Sequence, residues 1–171
     1  MRLNLGCCDT VIPGFIGVDI VPPADQIVDL SGPWQWPDSS VEEVRAHDVI
    51  EHISDIPRMI AVTGKPVWRH PIGRIHFMNE LHRVLVPCGK ATIETPNAAR
   101  GVGYFQDPTH VSPWCLSTFK YFEAGAFAHT RLAKAYGITA AFRIVTMESR
   151  SNGEDAREEV WKITAILEAV K

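Results

Sequence analysis

A glycine at position 6 and an acid at position 19 carry the first chemical signal in this chain. Leu3-Asn4-Leu5-Gly6 closes an apolar run on a residue without a Cβ, which lets a ligand approach the backbone closely. Gly17-Val18-Asp19-Ile20 closes the next run on a carboxylate able to accept hydrogen bonds from two ribose hydroxyls. In open α/β sheets the crevice beyond the carboxyl ends of adjacent strands is where nucleotide-like ligands bind. A second group of residues can take up protons: His47, Asp48, Glu51, His52 and His110, all on loops expected at that same edge. His110 is the first candidate for a general base, with His47 and Asp48 behind it, because an imidazole titrates near neutrality. The competing readings are plainer. Glu51-His52 can simply hydrogen-bond and hold its loop, and Asp107-Pro108-Thr109-His110 can be a structural turn.

Composition narrows the function classes. A chain of 171 residues, 46% hydrophobic and 22% charged, is expected to fold as one globular domain rather than a disordered or fibrous one. Its net charge of −3 argues against coating nucleic acid through bulk charge, although local basic patches stay open. No stretch approaches the roughly 20 apolar residues that span a bilayer. Met1–Gly6 is too soon interrupted to be a signal peptide, so a cytoplasmic protein is expected. Cysteines 7, 8, 88 and 115 form no Cys-x-x-Cys pair, so reduced thiols and no metal are expected.

The elements that must position these residues follow from the apolar pattern. Arg2–Leu5, Phe15–Ile20, Gln26–Leu30, Val41–His47 and Lys90–Thr95 read as short parallel strands buried on both faces. Phe77–Val86 reads as a helix with Phe77, Leu81, Val84 and Leu85 on one face, stopped by Pro87. Thr130–Tyr136 reads as a second helix, ended by Gly137. Phe142–Met147 and Glu159–Leu167 read as an antiparallel hairpin around the Ser151-Asn152-Gly153 turn. These runs make an α/β, Rossmann-like, mostly parallel seven-stranded sheet closed by that C-terminal hairpin. Only residues 6–14 join the first two strands, room for about one helical turn where a crossover usually takes a dozen residues or more.

Further motifs follow in order: Trp36-Pro37-Asp38-Ser39-Ser40-Val41, Asp48-Val49-Ile50-Glu51-His52, Asn79-Glu80-Leu81-His82-Arg83-Val84-Leu85-Val86-Pro87, Glu94-Thr95-Pro96-Asn97 and Asp107-Pro108-Thr109-His110. Together with the Gly6 and Asp19 segments, the series resembles the small class I S-adenosylmethionine-dependent methyltransferases of the type 11 kind. That resemblance implies S-adenosylmethionine as cofactor and an unidentified methyl acceptor as partner. It places Gly6, Cys7 and Cys8 under the methionyl part and Asp19 on the ribose. Ile20, Asp29 and Leu30 would lie by the adenine, with Ala46 and His47 beside the methionyl group. Cys8 stands where the family usually has a glycine, and Asn4 where an acid is common. Cys88 is read as the replacement of a turn glycine.

The alternatives separate on single features. A nicotinamide dehydrogenase needs several glycines and a helix start for its pyrophosphate, whereas Gly6 is followed by Cys7-Cys8-Asp9-Thr10. The Asp/Asn-Pro-Pro-aromatic motif of adenine-N6 enzymes has no counterpart in His47-Asp48-Val49-Ile50. A non-catalytic cofactor-binding subunit or interaction module stays open beside the enzyme, as does a homo-oligomer. Finally, residues 56–76 read as an insertion into the domain. Its Arg58, Lys65, Arg69 and Arg74 suggest a lid for an anionic acceptor, with Arg69 and Arg74 as substrate contacts.

Overall fold

A computed structural model describes residues 1–54, 58–62, 65–69, 73–151 and 160–171, the strands at 58–62 and 65–69 without their side chains. The N-terminal strands are β1 (Arg2–Leu5), β2 (Ile16–Asp19), β3 (Gln26–Ile27) and β4 (Val41–His47). A small hairpin, β5 (Arg58–Val62) and β6 (Lys65–Arg69), precedes helix α1 (Gly73–Val84) and strand β7 (Leu85–Pro96). Two single-turn helices, α2 (Val102–Phe105) and α3 (Leu116–Phe119), lead to α4 (Phe127–Tyr136), and β8 (Phe142–Ser151) and β9 (Trp161–Ala169) end the fold.

The main sheet has the order β3-β2-β1-β4-β7-β9-β8. Pairing is parallel from β3 to β7, and β9 runs antiparallel to both β7 and β8. Because β1 is central with β2 on one side and β4 on the other, its tip is a point where strand order reverses, the place such sheets leave open for ligands.

The parallel strands are not buried on both faces, contrary to the sequence expectation. Leu3, Val44, Ala91 and Leu167 are in register across β1, β4, β7 and β9 and face the core, as do Leu5, Ala46, Ile93 and Ala165. The alternate positions carry Arg2, Glu43, Lys90, Glu168 and Arg143 in one row, and Asn4, Arg45 and Thr92 in the next. These charges pair across the face: Arg2 and Arg45 with Glu43, and Arg143 with Glu168 at 2.7 Å. The reason lies in the first crossover. Residues 6–15 form turns and no helix, so no helix from that crossover covers the second face. Asn4 pins this short connection by donating its side-chain amide to the Thr10 carbonyl at 3.3 Å.

The covered face is held by α1, whose Phe77, Met78, Leu81 and Val84 are fully buried. The helix starts at Gly73 and gives way to β7 at Leu85, earlier at both ends than the expected Phe77–Val86. Its polar residues brace the loops around it. Arg83 donates to the Trp34 and Trp36 carbonyls, to Asp38 and to both oxygens of Glu80, and Glu80 also accepts from the Trp34 amide. Asn79 accepts from the Thr139 and Ala140 amides and donates to the Gly137 carbonyl. Trp34 and Trp36 are buried, in edge contact at 5.5 Å.

β3 is shorter than expected because Asp29 accepts from the Ser31 amide and turns the chain. Cys88 has a φ of 61°, the left-handed conformation that glycine adopts without strain, so its reading as a replaced turn glycine fits the backbone.

Candidate functional site

The tip of β1 and the end of β2 come together as the sequence suggested. Gly6 has a φ of 64°, and a Cβ there would lie 2.8 Å from the Val49 side chain. The position therefore requires glycine for both conformation and space. Cys8 follows with a φ of 49°, again in the left-handed region. Its amide donates to Asp19 Oδ2 at 2.8 Å, while Asp19 Oδ1 accepts from the Ile20 and Val21 amides at 2.7 and 3.3 Å. One carboxylate thus joins the two strand ends, and its one remaining lone pair, on Oδ2, stays available for a ligand hydroxyl. The Cys7 thiol is pushed up by burial and by the Asp19 charge, which keeps it protonated.

A cavity of about 660 Å3 opens at this edge, lined by Gly6, Cys7 and Cys8 from the first loop and by Ala46, His47 and Asp48 from the end of β4. That volume suits a nucleoside-sized ligand. Asn4, Arg45, Thr92 and Glu94 extend the lining along the helix-free side of the sheet. Ile20 is exposed beside Asp19. Asp19, Ile20, Asp29 and Leu30 are not among the residues that line this cavity: Asp19 holds the Cys8 amide beside it, Asp29 caps the turn described above, and Leu30 is buried with its carbonyl accepting from Trp34 Nε1.

The proton-accepting candidates divide into two clusters. His47 pairs with Glu94, and Lys162 bridges Asp48 and Glu94 at 2.6 and 3.1 Å, so this acidic pair already has its cation. The second cluster joins a short 3₁₀ turn, Ile50–His52, to the Asp107–His110 turn. His110 is nearly buried, its side chain 6% exposed, and its Nδ1 donates to the Tyr104 carbonyl at 2.7 Å. A carbonyl can only accept, so His110 Nε2 bears the lone pair of the neutral ring. That nitrogen lies 4.0 Å from Glu51 Oε1 and 3.7 Å from Asp107 Oδ2. Asp107 Oδ1 accepts from the Thr109 amide and hydroxyl, and the hydroxyl sits 3.1 Å from His52 Nδ1. The Asp107–His110 segment is thus a hydrogen-bonded turn and at the same time a holder of two imidazoles.

Glu51 is the residue the sequence undervalued. It is 0% exposed. Its backbone carbonyl accepts from the Val111 and Ser112 amides, which ties the two loops together. Its Oε2 accepts from Thr95, whereas Oε1 has no hydrogen-bond partner. Burial pushes its carboxyl up to about 7, against the lowering effect of its hydrogen bonds. The Glu-His pair followed far downstream by Asp-x-x-His was the only trace of this cluster in the sequence.

The segment read from the sequence as an insertion contains an antiparallel hairpin whose register sets Arg58 opposite Arg69 and Val62 opposite Lys65. A Cβ on Gly73 would lie 2.5 Å from the Ser54 carbonyl oxygen, so the chain leaves and rejoins the domain at one place. Pro57, Gly64, Pro71 and the Arg69 side chain lie outside the described residues. Arg74 donates to the Pro113 carbonyl at 2.8 Å and lines a separate cavity of about 330 Å3 with Cys115, Tyr121 and Tyr136.

Comparison with solved structures then decides the fold. A methyltransferase described as S-adenosylmethionine-dependent from Methanosarcina mazei superposes with a TM-score of 0.60 at 13% identity, covering 99% of this chain and 92% of that one. The chain has a class I methyltransferase fold. The putative methyltransferase of Haloferax volcanii in complex with the Trm112 methyltransferase activator has a TM-score of 0.62 at 12% identity, covering 99% and 82%. The [4+2]-cyclase SpnF shares the methyltransferase fold as well, with a TM-score of 0.56 at 14% identity and coverage of 99% and 75%. No family model and no curated protein matches the sequence.

Proposed function

We propose that this chain binds S-adenosylmethionine at the tips of β1 and β2 and transfers its methyl group. The observation that carries the reading is the junction of the two strand ends, where Gly6 and Cys8 line the cavity and the Asp19 carboxylate is tied to the Cys8 amide beside it. Asp19 would hold a ribose hydroxyl, with Ile20 against the adenine and Asp29 and Leu30 further along that side. Gly6, Cys7, Cys8, Ala46 and His47 would surround the methionyl end. The Cys8 amide is already taken by Asp19, which suits a cofactor without phosphate.

The sulfonium is itself electrophilic, so the protein has chiefly to set a nucleophile in line with the methyl–sulfur bond. Such positioning contributes about 7–11 kcal/mol when the geometry is near attack. His110, His47 and Asp48 are the groups proposed to assist proton removal from the acceptor. His47 and Asp48 line the cavity, and His110 is anchored through Nδ1 on the Tyr104 carbonyl, with Nε2 as its second ring nitrogen. Arg69 and Arg74 are proposed to favour an anionic acceptor. Native mass spectrometry of the purified protein tests the cofactor directly: a mass increment of S-adenosylmethionine or its demethylated product is expected, and a bare chain after incubation with either would overturn the proposal.

A second reading, a cofactor-binding module without turnover, is favoured by the uncovered, charge-paired sheet face, which is unusual for parallel strands. Single-turnover transfer of a labelled methyl group to a panel of acceptors separates the two. The [4+2]-cyclase SpnF, with the same fold, warns that the fold alone does not fix the reaction.

A further inference from the structure

We infer that Glu51, His52 and His110 form a site for one divalent transition-metal ion. One nitrogen of each imidazole and a carboxylate oxygen of Glu51 all lie within 4.8 Å of one another. Two imidazoles and one carboxylate are a donor set that suits zinc, iron or nickel rather than the all-oxygen shells of magnesium and calcium. The decisive observation is Glu51 Oε1. It belongs to a fully buried side chain, has no hydrogen-bond partner, and lies 4.0 Å from His110 Nε2. A buried carboxylate oxygen with nothing donating to it calls for either a proton or a cation in the gap, and the imidazole nitrogens gathered around it favour the cation.

The surrounding hydrogen bonds prepare the donors for such an ion. His110 Nδ1 is anchored on the Tyr104 carbonyl, which turns the lone pair of Nε2 toward Glu51. Metal-bound histidines characteristically use their second nitrogen in this way. Thr109 donates a hydroxyl hydrogen bond to Asp107 and so accepts from His52 Nδ1, leaving the other nitrogen of that ring as its lone-pair donor. Glu51 Oε2 is fixed by Thr95, so the carboxylate cannot turn to satisfy Oε1 elsewhere without losing that bond. Asp107 Oδ2 lies 3.7 Å from His110 Nε2 but outside this set of three mutually close donors. Metal–donor distances of about 2.0–2.2 Å need the donor atoms drawn closer by roughly an ångström, within reach of small ring rotations. The neighbouring cluster of His47, Asp48 and Glu94 makes the contrast. There the Lys162 ammonium already fills the position of the cation.

The site rests on its own residues and not on the methyltransferase reading, so a chain that binds no S-adenosylmethionine but holds the ion leaves it standing; an ion on His110 Nε2 takes up the lone pair of the proposed base and leaves proton removal to His47 and Asp48. The test uses the full chain without a polyhistidine tag, stripped with a chelator and titrated with zinc or cobalt(II) alone. One ion per chain is expected, together with visible absorption bands of protein-bound cobalt and a rise in melting temperature. Glu51→Gln, His52→Ala and His110→Ala are each expected to weaken binding at least a hundredfold, while His129→Gln leaves it unchanged. His52 is exposed, so its variant keeps the test sound if a Glu51 variant unfolds. Two outcomes overturn the inference. One is no ion retained at one equivalent, with the Glu51 gap filled by a proton. The other is binding that all three substitutions leave intact, which places the ion on other side chains.

Discussion

Replacing Cys8 by glycine should stabilise the protein and preserve the ligand loop. The left-handed φ of 49° costs a residue with a Cβ about 1–2 kcal/mol. Glycine removes that strain but loses about 0.5–1 kcal/mol through the greater freedom of the unfolded chain. Cys8 is exposed, so no core packing is lost. Its amide hydrogen bond to Asp19 does not depend on the side chain. The net expectation is a gain of about 0.5–1 kcal/mol, or a rise of about 1–3 °C in melting temperature for a chain of this size. Cys8→Ala removes the thiol and keeps the strain, so it should melt within about 1 °C of the native protein. Thermal denaturation of the three proteins followed by circular dichroism reads both differences. A lower melting point for Cys8→Gly, or equal shifts for the glycine and alanine variants, would refute the strain argument and assign the thiol a contact of its own.

Gly6→Ala should be destabilising by about 2–3 kcal/mol, since its φ of 64° and the Val49 side chain 2.8 Å from the added Cβ act together; chemical denaturation measures it. Asn4→Asp replaces the donor that holds the Thr10 carbonyl, at a site 5% exposed, with a second acceptor, at a cost of about 1–3 kcal/mol. Faster amide exchange in residues 7–12 should accompany it. Burial raises the Glu80 carboxyl, but the hydrogen bonds from Arg83 and the Trp34 amide, with the Arg83 charge, outweigh it and hold the pKa below its ordinary value. The unfolded chain therefore binds the proton more readily, and the stability from this brace is present above the unfolded carboxyl pKa and lost as pH falls through the lowered one. Arg83→Met should flatten that acid limb in a pH series of denaturation curves; an unchanged limb would assign it to other carboxylates.

Much of the scaffold was legible because it depends on local signals. β1 and β4 have the expected bounds, since Gly6 and Asp48 stop runs whose alternate residues are plainly apolar. The terminal hairpin was also legible, but β8 runs on to Ser151 and β9 covers Trp161–Ala169 where Phe142–Met147 and Glu159–Leu167 were expected. The one-sided burial was not, because a short run such as Arg2–Leu5 is compatible with either one or two covered faces. What settles it is the helix that the first crossover does not form, a property of nine residues judged against the whole sheet. The Asn79–Arg83 motif looked like part of a functional signature, yet its side chains brace α1 against two loops. Around the site, Gly6, Cys8 and Asp19 were readable from chain position, as strand ends are. Glu51 was not, because its importance comes from burial and from a partner at position 110, neither of which sequence spacing carries.

The account stands or falls on the ligand at the β1–β2 edge, and calorimetric titration of S-adenosylhomocysteine into the native protein and Asp19→Ala tests it most directly. Asp19 is expected to supply one charge-assisted hydrogen bond of about 1.5–3 kcal/mol through the free lone pair of Oδ2. One site per chain is predicted for the native protein, with affinity about 10–100-fold weaker in the variant and circular dichroism unchanged. Equal affinities in the two folded proteins, or no binding to either, would contradict the assignment of this edge as the cofactor seat.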